Sequence, residues 1–225
     1  MKEHPILFSG EMVRAILEGR KTQTRRPMAP QPPEGHWWAE TEAEQRLAAE
    51  YYPSTHGRGC PYGIPGDHLW VRETFILEET DEVPTDGRPY REMEEPGEFG
   101  QLLVPHYRAT ESEPHIVPLD LSDSYDDRTR WHPSIHMPKW ASRITLEVTG
   151  VRVERVQDIN DADAVAEGVL RDALGWWGVG EMFLSGEHAN PVDAFSALWD
   201  SVYTKRGYGW DANPWVWVVE FKKGA

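Results

Sequence analysis

A chain of 225 residues, with hydrophobic residues at 39% and aromatics at 11%, is long enough to bury a core and too apolar to stay disordered. No apolar run approaches the ~20 residues that span a bilayer, the apolar stretch in MKEHPILFSG is too short for a secretory signal, and the single cysteine, Cys60, excludes an internal disulfide and predicts a reducing, cytoplasmic setting. A net charge of −15 argues against general binding to nucleic acid, whose phosphates reward basic surfaces.

The first predicted element is a helix over Glu11 to Glu18, with Ser9 as N-cap and Gly19 just past its end. The segment Arg20 to Arg26 follows directly and is strongly basic within an acidic chain. Such a focus suits a small anionic or polar ligand or a short contact with RNA; by composition alone, a solvated charged turn is the commoner outcome. Residues 27–62 are rich in proline and charge and read as an insertion, with a helical piece near 42–52. A turn at Gly63 to Asp67 leads into a strand over His68 to Phe75. Residues 78–137 are acidic and rich in turn signals, with a strand within Gln101 to Ala109.

The clearest period-2 alternation is Arg143 to Val148, and it resumes after Gly150 through Glu154. Asn160 caps a short helix through Glu167, closed by Gly168. Residues 170–206 form a third insertion containing a helix with Asn190 at the N-cap and Pro191 at its first position. Its predicted inner face is Val192, Phe195, Leu198, Trp199 and Val202. Trp215 to Phe221 is apolar on both faces and predicts a central strand. Short strands with few short helices suggest an α+β fold, a small barrel with helices packed outside, as one domain over residues 1–225.

The segment Gly19-Arg20-Lys21-Thr22-Gln23-Thr24-Arg25-Arg26 resembles the signature G-x-K-x-x-E-x-R of the ASCH domain family, which belongs to the PUA-like class of small β-barrels. Gly19, Lys21 and Arg26 match, whereas Thr24 stands where most members carry glutamate. That threonine is shared with one branch, the bacterial N4-acetylcytidine amidohydrolases. Gly66 to Val71, Ile144 to Thr149 and Val218 to Lys222 resemble further strands of the family. The likeness covers residues 5–26, 63–77, 138–169 and 207–223, while WVRET and DANPWVWVVEF resemble longer phage and prophage members. The resemblance implies a PUA-like barrel, a nucleoside or modified nucleobase as ligand, and a catalytic set of Lys21, Thr24 and Glu167.

Amide hydrolysis needs a nucleophile, a base and a partner for the oxyanion. Thr24 offers a hydroxyl and Lys21 a base if its amine is partly neutral. Burial and the cations Arg20, Arg25 and Arg26 favour the neutral amine, and a pair with Glu167 opposes them. Lys21 and Thr24 have opposite strand parity, so they converge only if the chain between them turns or bulges. Arg26 shares the parity of Thr24 and is either an oxyanion partner or a structural ion pair. Of Arg72 and Glu73, which present opposite faces, one lines the cleft and the other pairs with an internal charge. Trp70, on the face of Arg72, is placed to stack on a base, although core packing is the commoner role of a tryptophan.

No metal site or cofactor is expected. Pro133 breaks the helix that would join His132 to His136, Cys60 and His56 lack further ligands at a familiar spacing, and Gly175 to Gly180 lacks the lysine of a phosphate loop. Two classes of function follow: a metal-independent amidohydrolase acting on N4-acylated cytidine or a related nucleoside, or a module in which the same cleft binds RNA or a modified base, with ribonuclease activity as a variant. No membrane partner is expected.

Overall fold

The computed structural model describes residues 1–32, 59–92, 102–111, 130–179 and 188–224. Over these residues the chain is α+β, with several sheets and few helices. It forms two compact units: Met1–His4, Ala15–His68 and Leu146–Ala225 make the first, and Pro5–Arg14 with Leu69–Thr145 the second. Among the described residues no helix is long and apolar enough to cross a membrane.

The first unit is organised by its C-terminal strand, β10 (Trp215–Lys223). Val216, Trp217, Val218, Val219 and Phe221 are all buried, so both faces are covered, as the continuous apolar run predicts. β7 (Thr145–Arg155) and β2 (Gln23–Pro27) flank it, both antiparallel. Beyond β7, Val148 N–H donates to the Asp67 carbonyl at 2.9 Å, and His68 N–H donates to the Lys2 carbonyl at 2.8 Å.

Among the described residues β2 pairs with β10 alone. The small barrel expected from the sequence is not closed among the described residues. Pro27 lies in β2, and a residue without an N–H suits such an edge; β1 (Glu3–Leu7) likewise contains a proline, Pro5. β7 runs unbroken through Gly150, where the sequence predicts a restart. Gly150 lies opposite Glu220, where a Cβ would come within 2.6 Å of the carboxylate, and the register of β10 shifts between Glu220 and Phe221.

Three helices among the described residues obey their capping signals. α1 (Gly10–Leu17) follows Ser9 and ends in a turn at Gly19, where φ is +74°. In α2 (Asp161–Ala166) the Asn160 side chain accepts from Asp163 N–H, and in α3 (Pro191–Tyr203) the Asn190 side chain accepts from Asp193 N–H. The buried face of α3 is Pro191, Ala194, Phe195, Trp199 and Tyr203. Val202, expected inside, is 44% exposed, and Tyr203 takes the inner place.

In the second unit the strand expected over residues 68–75 is interrupted. β3 (His68–Arg72) stops before Glu73, which turns inward to an arginine, and the chain resumes as β4 (Phe75–Thr80). β4 and β5 (Arg91–Glu92) flank β6 (Leu102–Tyr107) in an antiparallel sheet, with Phe75, Tyr107, Met137 and Ala141 as its core. The stretch read as turn-rich is thus partly sheet. His106 meets Glu78 at 2.6 Å and Glu111 at 2.5 Å, so these acids are partnered within the fold. In the first unit, β8 (Leu170–Arg171) and β9 (Trp177–Gly178) form a short hairpin around Gly175. The helical piece expected near 42–52 lies outside the described residues, as does the acidic run beyond Glu92.

Candidate active site

The turn at Gly19 fixes the direction in which the chain leaves α1. Arg20 and Lys21 N–H groups both donate to the Ala15 carbonyl, at 2.9 and 3.0 Å. Thr22 then ties two elements together: its N–H donates to the Ala166 carbonyl at 2.9 Å and its carbonyl accepts from Phe221 N–H at 2.8 Å. The chain is therefore still turning at Lys21 and becomes extended only at Gln23, so strand parity does not govern where the lysine points.

Lys21 reaches the last turn of α2. Its Nζ donates to the Glu167 backbone carbonyl at 2.7 Å and to Glu167 Oε2 at 2.9 Å. Both side chains are buried, at 2% and 5% exposure. A cation at a helix C-terminus meets the negative end of the helix dipole, so the ammonium offsets both the dipole and the carboxylate placed there. Gly168 completes the turn at φ +103°, leaving the space beside Lys21 that a side chain would fill. Burial holds the Lys21 amine below its ordinary pKa; Glu167 opposes that, and Arg26 and Arg25 reinforce it. Arg20, expected to contribute, instead pairs with Glu18, its Nε 2.7 Å from Oε2.

Arg25, on β2, has a guanidinium with no exposed surface. Its Nη1 donates to Glu167 Oε1 at 3.2 Å, while Nη2 donates to Asp163 Oδ2 at 2.7 Å and to Glu154 Oε1. Burial works against its charge, but Glu167, Glu154 and Asp163 outweigh it and hold the pKa above the ordinary arginine value. Arg152 extends the network to Glu154 at 3.1 Å, to Asp163 at 3.0 Å, and to Glu220. The expectation of a solvated basic turn is thus overturned: Lys21, Gln23, Thr24 and Arg25 are all buried, and acids of α2 and β7 receive the two cations, Lys21 and Arg25.

Thr24 is 1% exposed, and its Oγ1 has no hydrogen-bond partner among the described residues, neither Lys21 nor Glu167. Arg26 donates to the Tyr203 hydroxyl at 3.3 Å and also meets Tyr62. Nearby Cys60 is buried, and burial pushes its thiol up to about 12. The other sequence candidates belong to the second unit. The Arg72 guanidinium lies 5.3 Å from the centroid of the Trp70 ring and donates to the Ile135 carbonyl. Glu73 is held by Arg143 through two contacts of 2.9 and 3.0 Å; burial raises its pKa and Arg143 opposes the rise.

The structure therefore joins Lys21 to Glu167 and adds Arg25, Glu154, Asp163 and Arg152, which sequence reasoning passed over or treated only as background charge. One signal was available. Asp163 and Glu167 are four residues apart, so they share a face of α2.

No family model matches the chain, and no curated protein does. Among solved structures it is similar to an ASCH domain from Lactobacillus crispatus JV V101, known from a high-resolution crystal structure. The TM-score is 0.38, with 10% identity over 99% of this chain and 79% of that one.

Proposed function

We propose that the chain is an amidohydrolase that removes the acyl group from N4-acylated cytidine or a related nucleoside. The observation that carries the chemical part is the buried pair of Lys21 and Glu167, 2.9 Å apart, with burial drawing the lysine toward its neutral amine. The substrate class comes from the motif resemblance at Gly19, Lys21, Thr24 and Arg26.

In this reading Glu167 orients the amine through its carbonyl and one carboxylate oxygen. Once substrate brings the Thr24 hydroxyl, which does not meet Lys21 among the described residues, to the neutral amine, the amine takes its proton as the oxygen attacks the acyl carbonyl, and Arg26, which also donates to Tyr203, is the cation assigned to the oxyanion. The resulting ammonium returns the proton to the exocyclic nitrogen as the C–N bond breaks, and water then frees the acyl group from the threonine. Leaving a buried hydroxyl unpartnered costs ~1–3 kcal/mol, and Thr24 Oγ1 in that condition accords with a group kept for a substrate.

The test is release of cytidine from N4-acylated cytidines of several acyl sizes. Lys21→Ala and Thr24→Ala should each lower kcat/KM by about 10²-fold or more, and Glu167→Ala by a comparable factor. No turnover by the wild type with any acyl group would overturn the function. Unchanged turnover in the three variants would overturn the assignment of residues.

A further inference from the structure

Resting on the amidohydrolase reading of this site, one component of the cluster still has no part in the chemistry. Arg25 is fully enclosed, yet the steps above do not use it. Its position relative to Glu167 is specific: the two carboxylate oxygens are divided, Oε2 to Lys21 at 2.9 Å and Oε1 to Arg25 at 3.2 Å. Arg25 is itself anchored, through Nη2, to Asp163 on α2 and Glu154 on β7. Arg152 braces both of those acids and reaches Glu220 on β10.

The charged groups facing Lys21 are therefore Glu167 from the end of α2, Arg25 and Arg26 from β2, and behind them Asp163, Glu154, Arg152 and Glu220. A carboxylate that met only the lysine would hold its proton in place. One shared with a permanent guanidinium holds it less strongly, because part of its charge is already answered.

We propose that Arg25 is a positioning residue: it shares the Glu167 carboxylate with Lys21, aims Oε2 at the amine, and thereby keeps Lys21 available as a base. The experiment follows the ε-carbon resonance of Lys21 across pH in lysine-labelled protein without substrate, assigned by its loss in Lys21→Met. Arg25→Gln removes the competing cation and should move the Lys21 midpoint to higher pH. Arg25→Lys retains a cation and should stay nearer the wild type. Glu154→Gln leaves more of the Arg25 charge unanswered and should move the midpoint the opposite way, to lower pH.

An unmoved midpoint in folded Arg25→Gln, or a shift in the same direction as Glu154→Gln, would overturn the proposal. If Arg25→Gln does not fold, Glu154→Gln decides: a downward shift supports the proposal, and no shift or an upward one refutes it. In the hydrolysis assay the acid limb of the pH–rate profile should move with these midpoints, the rate below it falling about tenfold per pH unit of displacement. A wild type that hydrolyses nothing at any pH overturns the amidohydrolase reading alone, since the resonance is followed without substrate.

Discussion

At φ +103°, Gly168 occupies backbone space that a residue bearing a Cβ enters only under strain, and the new methyl would lie 3.3 Å from Ala15 Cβ and 3.6 Å from Lys21 Cβ. Gly168→Ala should therefore destabilise the protein by about 1–3 kcal/mol, measured from urea midpoints, and should lower hydrolysis by displacing the lysine. Lys21 also leaves a mark on stability against pH. Its amine binds a proton less tightly in the folded chain than at the ordinary value of 10.5. Between the folded value and 10.5 the unfolded chain thus holds more protons, and stability rises with pH across that window. Lys21→Met keeps the buried volume and removes the titration, so its urea midpoints should lack that rise.

Among the elements, β10 and the three helices were readable because each carries a local signal: an unbroken apolar run, or a cap at one end and a glycine or proline in its proper place. β2 was not. Its sequence QTRRP has no apolar alternation, and the partners that bury it lie far along the chain; Arg25 and Glu167 are 142 positions apart. Burial here is satisfied by charge, which periodicity does not register. The expectation of a barrel came from the run of short strands as well as from family likeness, and the barrel is not closed among the described residues; Pro27 in β2 was a visible sign of an edge. Lys21 could be nominated from the motif and Glu167 from the family's order of elements, whereas the network of Arg25 depends on which strands lie side by side. Because α2 presents both Asp163 and Glu167, its cap bears on the site. Asn160→Ala should cost about 1 kcal/mol in thermal melts and reduce hydrolysis more than Asn190→Ala, which uncaps α3.

For the molecule as a whole, the net charge of −15 and the burial of Lys21 and Arg25 point the same way. These cations are occupied by carboxylates and are not offered to a phosphate backbone. Hydrolysis of a neutral nucleoside should accordingly change little between low and high salt. A binding constant for RNA that falls steeply over the same range would instead favour the binding-module reading.

Cys60 is the chain's only thiol, and its surroundings keep it protonated up to about 12. The thiolate is the reactive form, so a maleimide added at neutral pH finds almost no nucleophile while the segment beside Tyr62 stays shut. Each labelled molecule records one opening event next to Arg26. The rate of labelling is thus an internal clock for native-state breathing, set by a residue that takes no part in the proposed chemistry.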